Sequence, residues 1–229
     1  MVLQPCYANI VQMPAVVDHV FICTTIGAPA ADRLKQFGLV EGSPNQHPGQ
    51  GTACRRFFFR NAMLELLWVA DVSEVQSDQT CRTRLWEHWS GAASPFGIIL
   101  RPAPGIPAAC PFPSWKYEPA SIPGFSLHIA EGPELEEPMW CYMESGRAPA
   151  EWPADRRQPL EHPSGFRDVT GVRIVAPGLE EGSLTLAMAR AGVITSNTGP
   201  ERLLELAFDG NNAGESMDFR PDLPVVFRW

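Results

Sequence analysis

Two short apolar runs predict two neighbouring strands in the first third of the chain. An apolar run at residues 63–69 reads MLELLWV, and a shorter aromatic run precedes it at residues 56–60. Because only two residues separate the runs, a tight turn between two strands is predicted. The two-residue period of a strand places Glu65 on the same face as Met63 and Leu67.

Glu65 is therefore a carboxylate within an apolar row. Burying an ionised carboxylate without a partner costs several kcal/mol, roughly. The position implies a bound metal, a hydrogen-bond network or an exposed cleft around this side chain.

The first strand of the chain is predicted at residues 16–23, where β-branched and aromatic residues surround a histidine. Strict alternation places His19 on one face with Phe21, and Asp18 on the other. A helix over residues 29–37 follows. The remaining predicted elements are helices at residues 77–91 and 179–191 and strands at residues 96–101, 125–130, 139–144, 169–175 and 203–208, with one more strand after Pro224.

Two segments are predicted to lack regular structure. Residues 102–123 contain repeated prolines, which remove hydrogen-bond donors and prevent a long helix, so an extended connection is expected. Residues 145–168 show no period and are predicted to be a linker or a surface loop.

The end of the chain repeats the opening pattern weakly, because LLELAF at residues 203–208 resembles MLELLW at residues 63–68. Glu205 falls where Glu65 falls. The predicted organisation is one compact body with three parts: a first βαβββ unit with its following helix at residues 1–95, a degenerate second unit at 96–167 and a C-terminal part-repeat at 168–229.

The composition of the chain narrows the classes of function that it could have. The chain has 229 residues, 45% of them hydrophobic, which is enough to bury a sizeable core. Its formal net charge of -8 offers no electrostatic basis for nucleic-acid binding. The N-terminal residues MVLQPCYANIVQMP lack a basic segment and an unbroken apolar core, and no apolar run could span a bilayer. We expect a cytoplasmic protein without a membrane or nucleic-acid partner.

Several of these sequence elements resemble the glyoxalase-like domain proteins of the vicinal oxygen chelate superfamily. They are Asp18-His19-Val20 on the first strand, the HPGQGT loop at residues 47–52, Leu64-Glu65-Leu66 on the later strand and the RPDLP segment at residues 220–224. The resemblance covers nearly the whole chain. It implies an α+β fold of paired βαβββ-type units whose curled mixed sheets enclose a cleft.

The resemblance also implies a divalent metal (Zn, Ni, Mn or Fe) held by histidine and glutamate side chains. His19 and Glu65 match the ligands of the first unit. In the second unit Ile98 or Ile99 stands where a ligand is expected, so Glu144 is the candidate for the third position. His128 and Glu205 are further candidates. The alternatives are a core histidine at His19 and an ion pair between Glu65 and Arg55 or Arg56.

Substrate contacts are predicted from two places. His47 and Gln50 belong to the HPGQGT loop and are expected to line the cleft mouth, although His47 could instead stabilise the turn. Trp140 and Tyr142 alternate with Cys141 and Met143 and are predicted to form a wall of an apolar ligand pocket, with core packing as the alternative.

Two functions follow from the resemblance. The first is a metal-dependent lyase, isomerase or dioxygenase that acts on a small oxygen-bearing substrate, with Glu65 or Glu144 moving a proton. The second is a non-catalytic module that binds or sequesters a small molecule in the same cleft. Analogy with the superfamily also suggests a homodimer.

Overall fold

The computed structural model describes residues 15–119 and 122–229 of the chain. The N-terminal segment on which the predicted localisation depends lies outside these residues. In the described part no helix is both long enough and apolar enough to cross a membrane.

The first sheet contains eight strands in the order β2-β3-β4-β1-β5-β8-β7-β6. It combines two units of four strands, joined where β1 and β5 pair antiparallel. The strands are β1 (Ala15–Cys23), β2 (Asn45–His47), β3 (Thr52–Phe58), β4 (Met63–Val69), β5 (Phe96–Pro102), β6 (Ser114–Tyr117), β7 (Leu127–Ala130) and β8 (Met139–Tyr142).

The two units share one topology. In the first unit β1 pairs parallel with β4, and in the second unit β5 pairs parallel with β8. A helix, α1 (Ala31–Phe37), connects β1 to β2, whereas the proline-rich segment connects β5 to β6 without a helix. The prediction of an α+β fold with paired βαβββ-type units and curled mixed sheets is confirmed.

The second sheet has five strands in the order β10-β9-β11-β13-β12. Here β11 runs antiparallel to β9, whereas β4 runs parallel to β1 in the first unit. Glu205 and Glu65 are therefore not in equivalent positions, because the strand of Glu205 is antiparallel to β9 and the strand of Glu65 is parallel to β1. The strands are β9 (Val169–Ala176), β10 (Thr195–Thr198), β11 (Leu203–Phe208), β12 (Ser216–Asp218) and β13 (Val225–Arg228), with α4 (Leu184–Arg190) between β9 and β10.

The main core lies between the outer face of the first sheet and the second sheet. Leu64, Ile98 and Trp140 come from the first sheet and pack in one cluster with Ile174 and Phe227 from the second. A smaller cluster covers the inner face. One hydrophobic core therefore joins the two sheets. The boundaries of the three predicted parts of the chain, at residues 95 and 167, stay a prediction.

The predicted helix at residues 77–91 is wrong in extent. Two short helices, α2 (Val72–Val75) and α3 (Leu85–Ser90), flank a 3-10 turn, Cys81–Thr83. Arg84 lies between that turn and α3 with a φ of 60°, which interrupts a continuous helix. The helix predicted at 179–191 is also shorter, because α4 begins after the Ser183 cap.

One prediction of an irregular segment needs correction, and the other segment packs against the first sheet. The proline-rich connection contains an unpredicted strand, β6, which pairs with β7 at the edge of the sheet. The segment 145–168, predicted as a linker or surface loop, contains a buried histidine, His162, that contacts β3. His162 Nδ1 accepts a hydrogen bond from Val40 N at 2.9 Å, and His162 Nε2 lies 2.9 Å from Phe58 O on β3. Backbone hydrogen bonding to one histidine holds this segment on the sheet.

Candidate functional site

The inner face of the first sheet encloses a cavity of about 410 Å³. Its two ends differ in chemistry because each comes from one of the two units. The first unit contributes most of the polar side chains, together with a few apolar ones, and the second contributes mainly apolar ones. The polar lining residues discussed below are Asp18, His19, His47, Gln50, Arg56 and Glu65.

His19 reaches the cavity together with Asp18, its neighbour in sequence. The β1–β5 register shifts between Val17 and His19, which indicates a β-bulge at Asp18. A bulge places an extra residue in the strand and redirects its side chain. Asp18, predicted on the opposite face, therefore lines the cavity beside His19, and Asp18 Oδ1 lies 2.7 Å from His19 Nδ1.

This hydrogen bond defines the state of the imidazole. An ionised Asp18 can only accept, so Nδ1 carries a hydrogen, and in the neutral imidazole Nε2 keeps a lone pair. Burial alone would lower the pKa of His19. The hydrogen bond to Asp18 and the negative charges of Glu65 and Asp18 outweigh burial, so the pKa of His19 is raised above 6.5.

The second oxygen of Asp18 faces a buried cation. Arg101 Nε lies 3.5 Å from Asp18 Oδ2, and both residues are buried. Neither atom has a hydrogen-bond partner within the described residues. Arg101 Nη2 donates to Asn61 O at 3.2 Å, which fixes the guanidinium behind the carboxylate.

Glu65 lies on β4 with its side chain in the cavity, as the alternation of MLELLWV predicts. It is 7% exposed, and Cys54 Sγ donates to its Oε1 at 3.7 Å. Its negative charge helps to raise the pKa of His19. Arg55, one candidate partner for Glu65, instead forms hydrogen bonds to Glu41 at 2.6 and 2.7 Å.

The HPGQGT loop holds its side chains through internal hydrogen bonds. Asn45 Nδ2 lies 2.9 Å from His47 Nε2, and His47 Nδ1 lies 2.9 Å from Thr52 Oγ1. Since an amide nitrogen can only donate, Nε2 accepts and Nδ1 donates to the hydroxyl. Burial lowers the pKa of His47, consistent with this neutral state. Gln50 Nε2 also donates to Thr52 Oγ1 at 2.8 Å.

Gly51 makes this loop geometry feasible. Its φ is +76°, and a Cβ at this position would lie 2.4 Å from Asp71 O. Only glycine tolerates both the backbone conformation and the close contact. His47 and Gln50, the two loop residues predicted to contact a substrate, line the cavity. Both ring nitrogens of His47 already take part in hydrogen bonds to Asn45 and Thr52.

Arg56 supplies a positive charge at the polar end. It pairs in register with Glu65 across β3 and β4, and its Nε donates to Ser43 O at 2.9 Å. Its charge opposes protonation of both His19 and His47. Trp152 and Arg156, from the predicted linker, also line the cavity.

The second unit forms the apolar wall. Ile99 faces the cavity directly opposite His19 in the β1–β5 register, and Ile129, Met139 and Cys141 extend the wall over β7 and β8. These four side chains are buried and belong to the inner cluster. A ligand with an apolar body and a polar end would fit this division.

Three residues predicted for the site lie on the other face of the sheet. Met139, Cys141 and Met143 face the cavity, so the strand alternation directs Trp140, Tyr142 and Glu144 outward. Trp140 is 1% exposed and its Nε1 donates to Thr185 Oγ1 at 3.2 Å, and Tyr142 belongs to the same main core. The side chain of Glu144 is 49% exposed and contacts His128 at 2.9 Å.

The structure also separates Glu205 from the cavity. Arg228 Nε and Nη2 donate to its carboxylate at 2.8 and 3.0 Å, and Arg173 lies 3.3 Å away. The hydrogen bond from Arg228 lowers the pKa of Glu205. The carboxylate is an ion-pair partner within the second sheet.

The donor set of the cavity does not fit the predicted metal centre. A catalytic divalent metal needs about three protein ligands and an open position. Within residues 15–119 and 122–229, no group of three His, Cys, Asp or Glu side chains is placed to hold an ion. His19 and Glu65 supply two donors, Glu144 faces away, and the second unit offers Ile99 in the wall opposite.

Comparison with known proteins gives a fold but no family. No protein-family model matches the chain, and no curated protein matches it. Among 55 matching chains of solved structures, a crystal structure of a hypothetical protein from Staphylococcus aureus covers 93% of this chain and 98% of its own, with a TM-score of 0.52 and 10% identity. That likeness shows a shared fold.

A second solved structure is a xylose isomerase-like TIM barrel/4-hydroxyphenylpyruvate dioxygenase fusion protein. The match covers 90% of this chain and 37% of the fusion protein, with a TM-score of 0.45 and 12% identity.

Sequence reasoning missed several contributors to the site. Asp18 was assigned to the wrong face because a bulge leaves no mark in an alternating pattern. Arg156 and Trp152 come from a segment without a period, and only the fold places that segment over the cavity. The apolar wall was assigned to the wrong half of the MWCYM pattern.

Proposed function

We propose that the protein is an enzyme that removes a proton from a carbon atom next to a carbonyl group, with His19 as the base. The supporting observation is the 2.7 Å hydrogen bond between His19 and Asp18 in a cavity that is polar at one end and apolar at the other. Isomerisation, one of the reactions that the family resemblance implies, can begin with this step.

The step follows from the hydrogen-bonding state of the imidazole. Nδ1–H donates to Asp18, so the lone pair of Nε2 takes the proton from carbon, and the electrons of the C–H bond move to the carbonyl oxygen. The Asp18 carboxylate stabilises the imidazolium that forms. Arg56 provides a positive charge at the same end of the cavity, where the enolate oxygen would lie.

Return of the proton completes the reaction. If the proton returns to the same carbon, hydrogen exchanges with solvent. If that carbon also carries a hydroxyl group, the intermediate is an enediolate: the hydroxyl proton moves to the former carbonyl oxygen, the carbon-bound proton returns to the former carbonyl carbon, and the substrate isomerises. The wall of Ile99, Ile129 and Met139 would hold an alkyl or aryl group. The substrate class is therefore a small carbonyl compound with an apolar substituent.

Solvent exchange tests this function without knowledge of the natural substrate. Phenylpyruvate carries an acidic C–H group, a ketone and an aromatic ring, and NMR can follow the loss of its α-protons in D2O. We expect the wild type to accelerate exchange and His19→Gln to reduce the acceleration by about 100-fold or more. His128→Gln is the matched control, because His128 lies on the other face of the sheet. A rate equal in wild type and His19→Gln would contradict the proposal.

A binding role without catalysis is the second candidate, and the apolar wall favours it. Ligand binding can be followed through fluorescence, since Trp152 lines the cavity. If phenylpyruvate and its alkyl analogue 4-methyl-2-oxopentanoate bind but neither exchanges protons, the binding role holds and the catalytic proposal fails.

A further inference from the structure

A second group of chemically reactive side chains lies on the outer face of the first sheet, away from the cavity. Ser114 on β6, His128 on β7 and Glu144 just after β8 form a diagonal row across three strands. Ser114 Oγ lies 3.1 Å from His128 Nδ1, and Glu144 Oε1 lies 2.9 Å from His128 Nε2.

These contacts set the direction of both hydrogen bonds. An ionised carboxylate can only accept, so Nε2–H of His128 donates to Glu144. The lone pair of Nδ1 then accepts from the Ser114 hydroxyl. This is the arrangement of a nucleophile, a base and an orienting carboxylate, which is recognised by geometry and roles rather than by sequence position.

The surroundings hold the base in place and leave the nucleophile accessible. The ring of His128 packs edge-on against Tyr142, with centroids 6.1 Å apart. The hydroxyl of Tyr142 in turn accepts from Ala109 N at 2.9 Å, so the core anchors the ring below the histidine. Ser114 is partly exposed on an edge strand. Lys116 is directly opposite His128 and adds a positive charge to this face.

A neighbouring cysteine does not replace the serine. Cys110 Sγ donates to Phe112 O at 3.4 Å, and burial raises the pKa of its thiol. A thiol that stays protonated is a poor nucleophile. The serine bonded to His128 is the better placed group.

We propose that Ser114, His128 and Glu144 form a second catalytic site that hydrolyses small, accessible carboxylic esters. Ser114 Oγ bonds to the ester carbon while His128 Nδ1 takes the hydroxyl proton. The bond between carbon and the alcohol oxygen then breaks, and His128 returns the proton to the departing alcohol. Water, deprotonated by His128, cleaves the acyl-serine to a carboxylic acid and restores Ser114.

p-Nitrophenyl acetate tests this site directly with the full chain. With substrate in excess over protein, we expect a burst of about one equivalent of p-nitrophenolate per protein and one acetyl group on Ser114. The tryptic peptide that ends at Lys116 contains both Cys110 and Ser114, so fragmentation of this peptide must locate the acetyl group. Cys110→Ala should keep the label.

Variants distinguish acylation that depends on Ser114, His128 and Glu144 from accidental acylation of a surface residue. We expect Ser114→Ala to remove the burst and His128→Gln to slow acylation by about 100-fold or more. Ser126→Ala is the matched control, because Ser126 is close to His128 in sequence but makes no contact described above. His19→Gln should leave acylation unchanged, which separates this site from the cavity. Absence of a label on wild-type Ser114, a label on Cys110 or an unchanged rate in His128→Gln would overturn the proposal.

Discussion

Asp18 and Arg101 form a buried pair of opposite charges in which Asp18 Oδ2 and Arg101 Nε lie 3.5 Å apart. The same carboxylate bonds through Oδ1 to His19. Arg101 therefore compensates the charge of the residue that orients the proposed base. Gly146 packs against both side chains, and a Cβ there would lie 2.6 Å from Arg101 Cβ and 2.9 Å from Asp18 Oδ2.

This pair should show strong coupling in stability. Arg101→Met leaves Asp18 buried without its cation and should lower the free energy of unfolding by about 3–5 kcal/mol. Asp18→Asn together with Arg101→Met should cost clearly less than the sum of the two single changes, because both single variants leave one charge uncompensated. Urea denaturation of the four proteins measures the coupling. Additive losses would show that the two charges act independently.

A second buried carboxylate should stabilise the contact between the two sheets. Glu137 accepts from Thr185 N at 2.7 Å and from Thr185 Oγ1 at 2.8 Å at the start of α4. Glu137→Ala leaves both donors without this partner and should cost about 1–3 kcal/mol. The exposed neighbour gives the control, since Glu136→Ala should stay within about 0.5 kcal/mol of wild type. Equal effects of the two changes in thermal or urea unfolding would contradict this role.

Metal titration tests the donor set of the cavity. With two donors, His19 and Glu65, in place, we expect isothermal titration with Zn, Mn and Ni to show no tight, stoichiometric binding. His19→Ala and Glu65→Gln should then behave as wild type does. Tight binding that both single changes abolish would mean that a third ligand joins them, and would restore the metal centre that the resemblance implies.

The sequence predicted the fold class and the face on which Glu65 lies, because periodicity controls which face of a strand a side chain takes. The alternation of MLELLWV correctly placed Glu65 in the cavity with Met63 and Leu67. The same rule failed at Asp18, where the β-bulge shifts the register. It also could not tell which face of β8 is the inner one, since both faces are buried and apolar.

The second sheet shows a different limit of sequence reasoning. LLELAF and MLELLW have the same residue pattern, yet β11 and β4 pair with their first strands in opposite directions. A local pattern contains no information about strand direction. Glu205 consequently binds arginines, whereas Glu65 lines a cavity.

The central claim is that His19, held by its hydrogen bond to Asp18, is the base. The pH dependence of proton exchange in phenylpyruvate tests this claim most directly. His19 acts as a base only when neutral, and its pKa is raised above 6.5, so the exchange rate of the wild type should rise with pH through a midpoint above 6.5. Asp18→Asn removes the charge that helps to raise this pKa and replaces the charge-assisted hydrogen bond with a weaker, neutral one. Its midpoint should therefore move to lower pH, with a lower maximal rate. A wild-type profile without an ascending limb, or the same midpoint in both proteins, would contradict the assignment of His19 as the base.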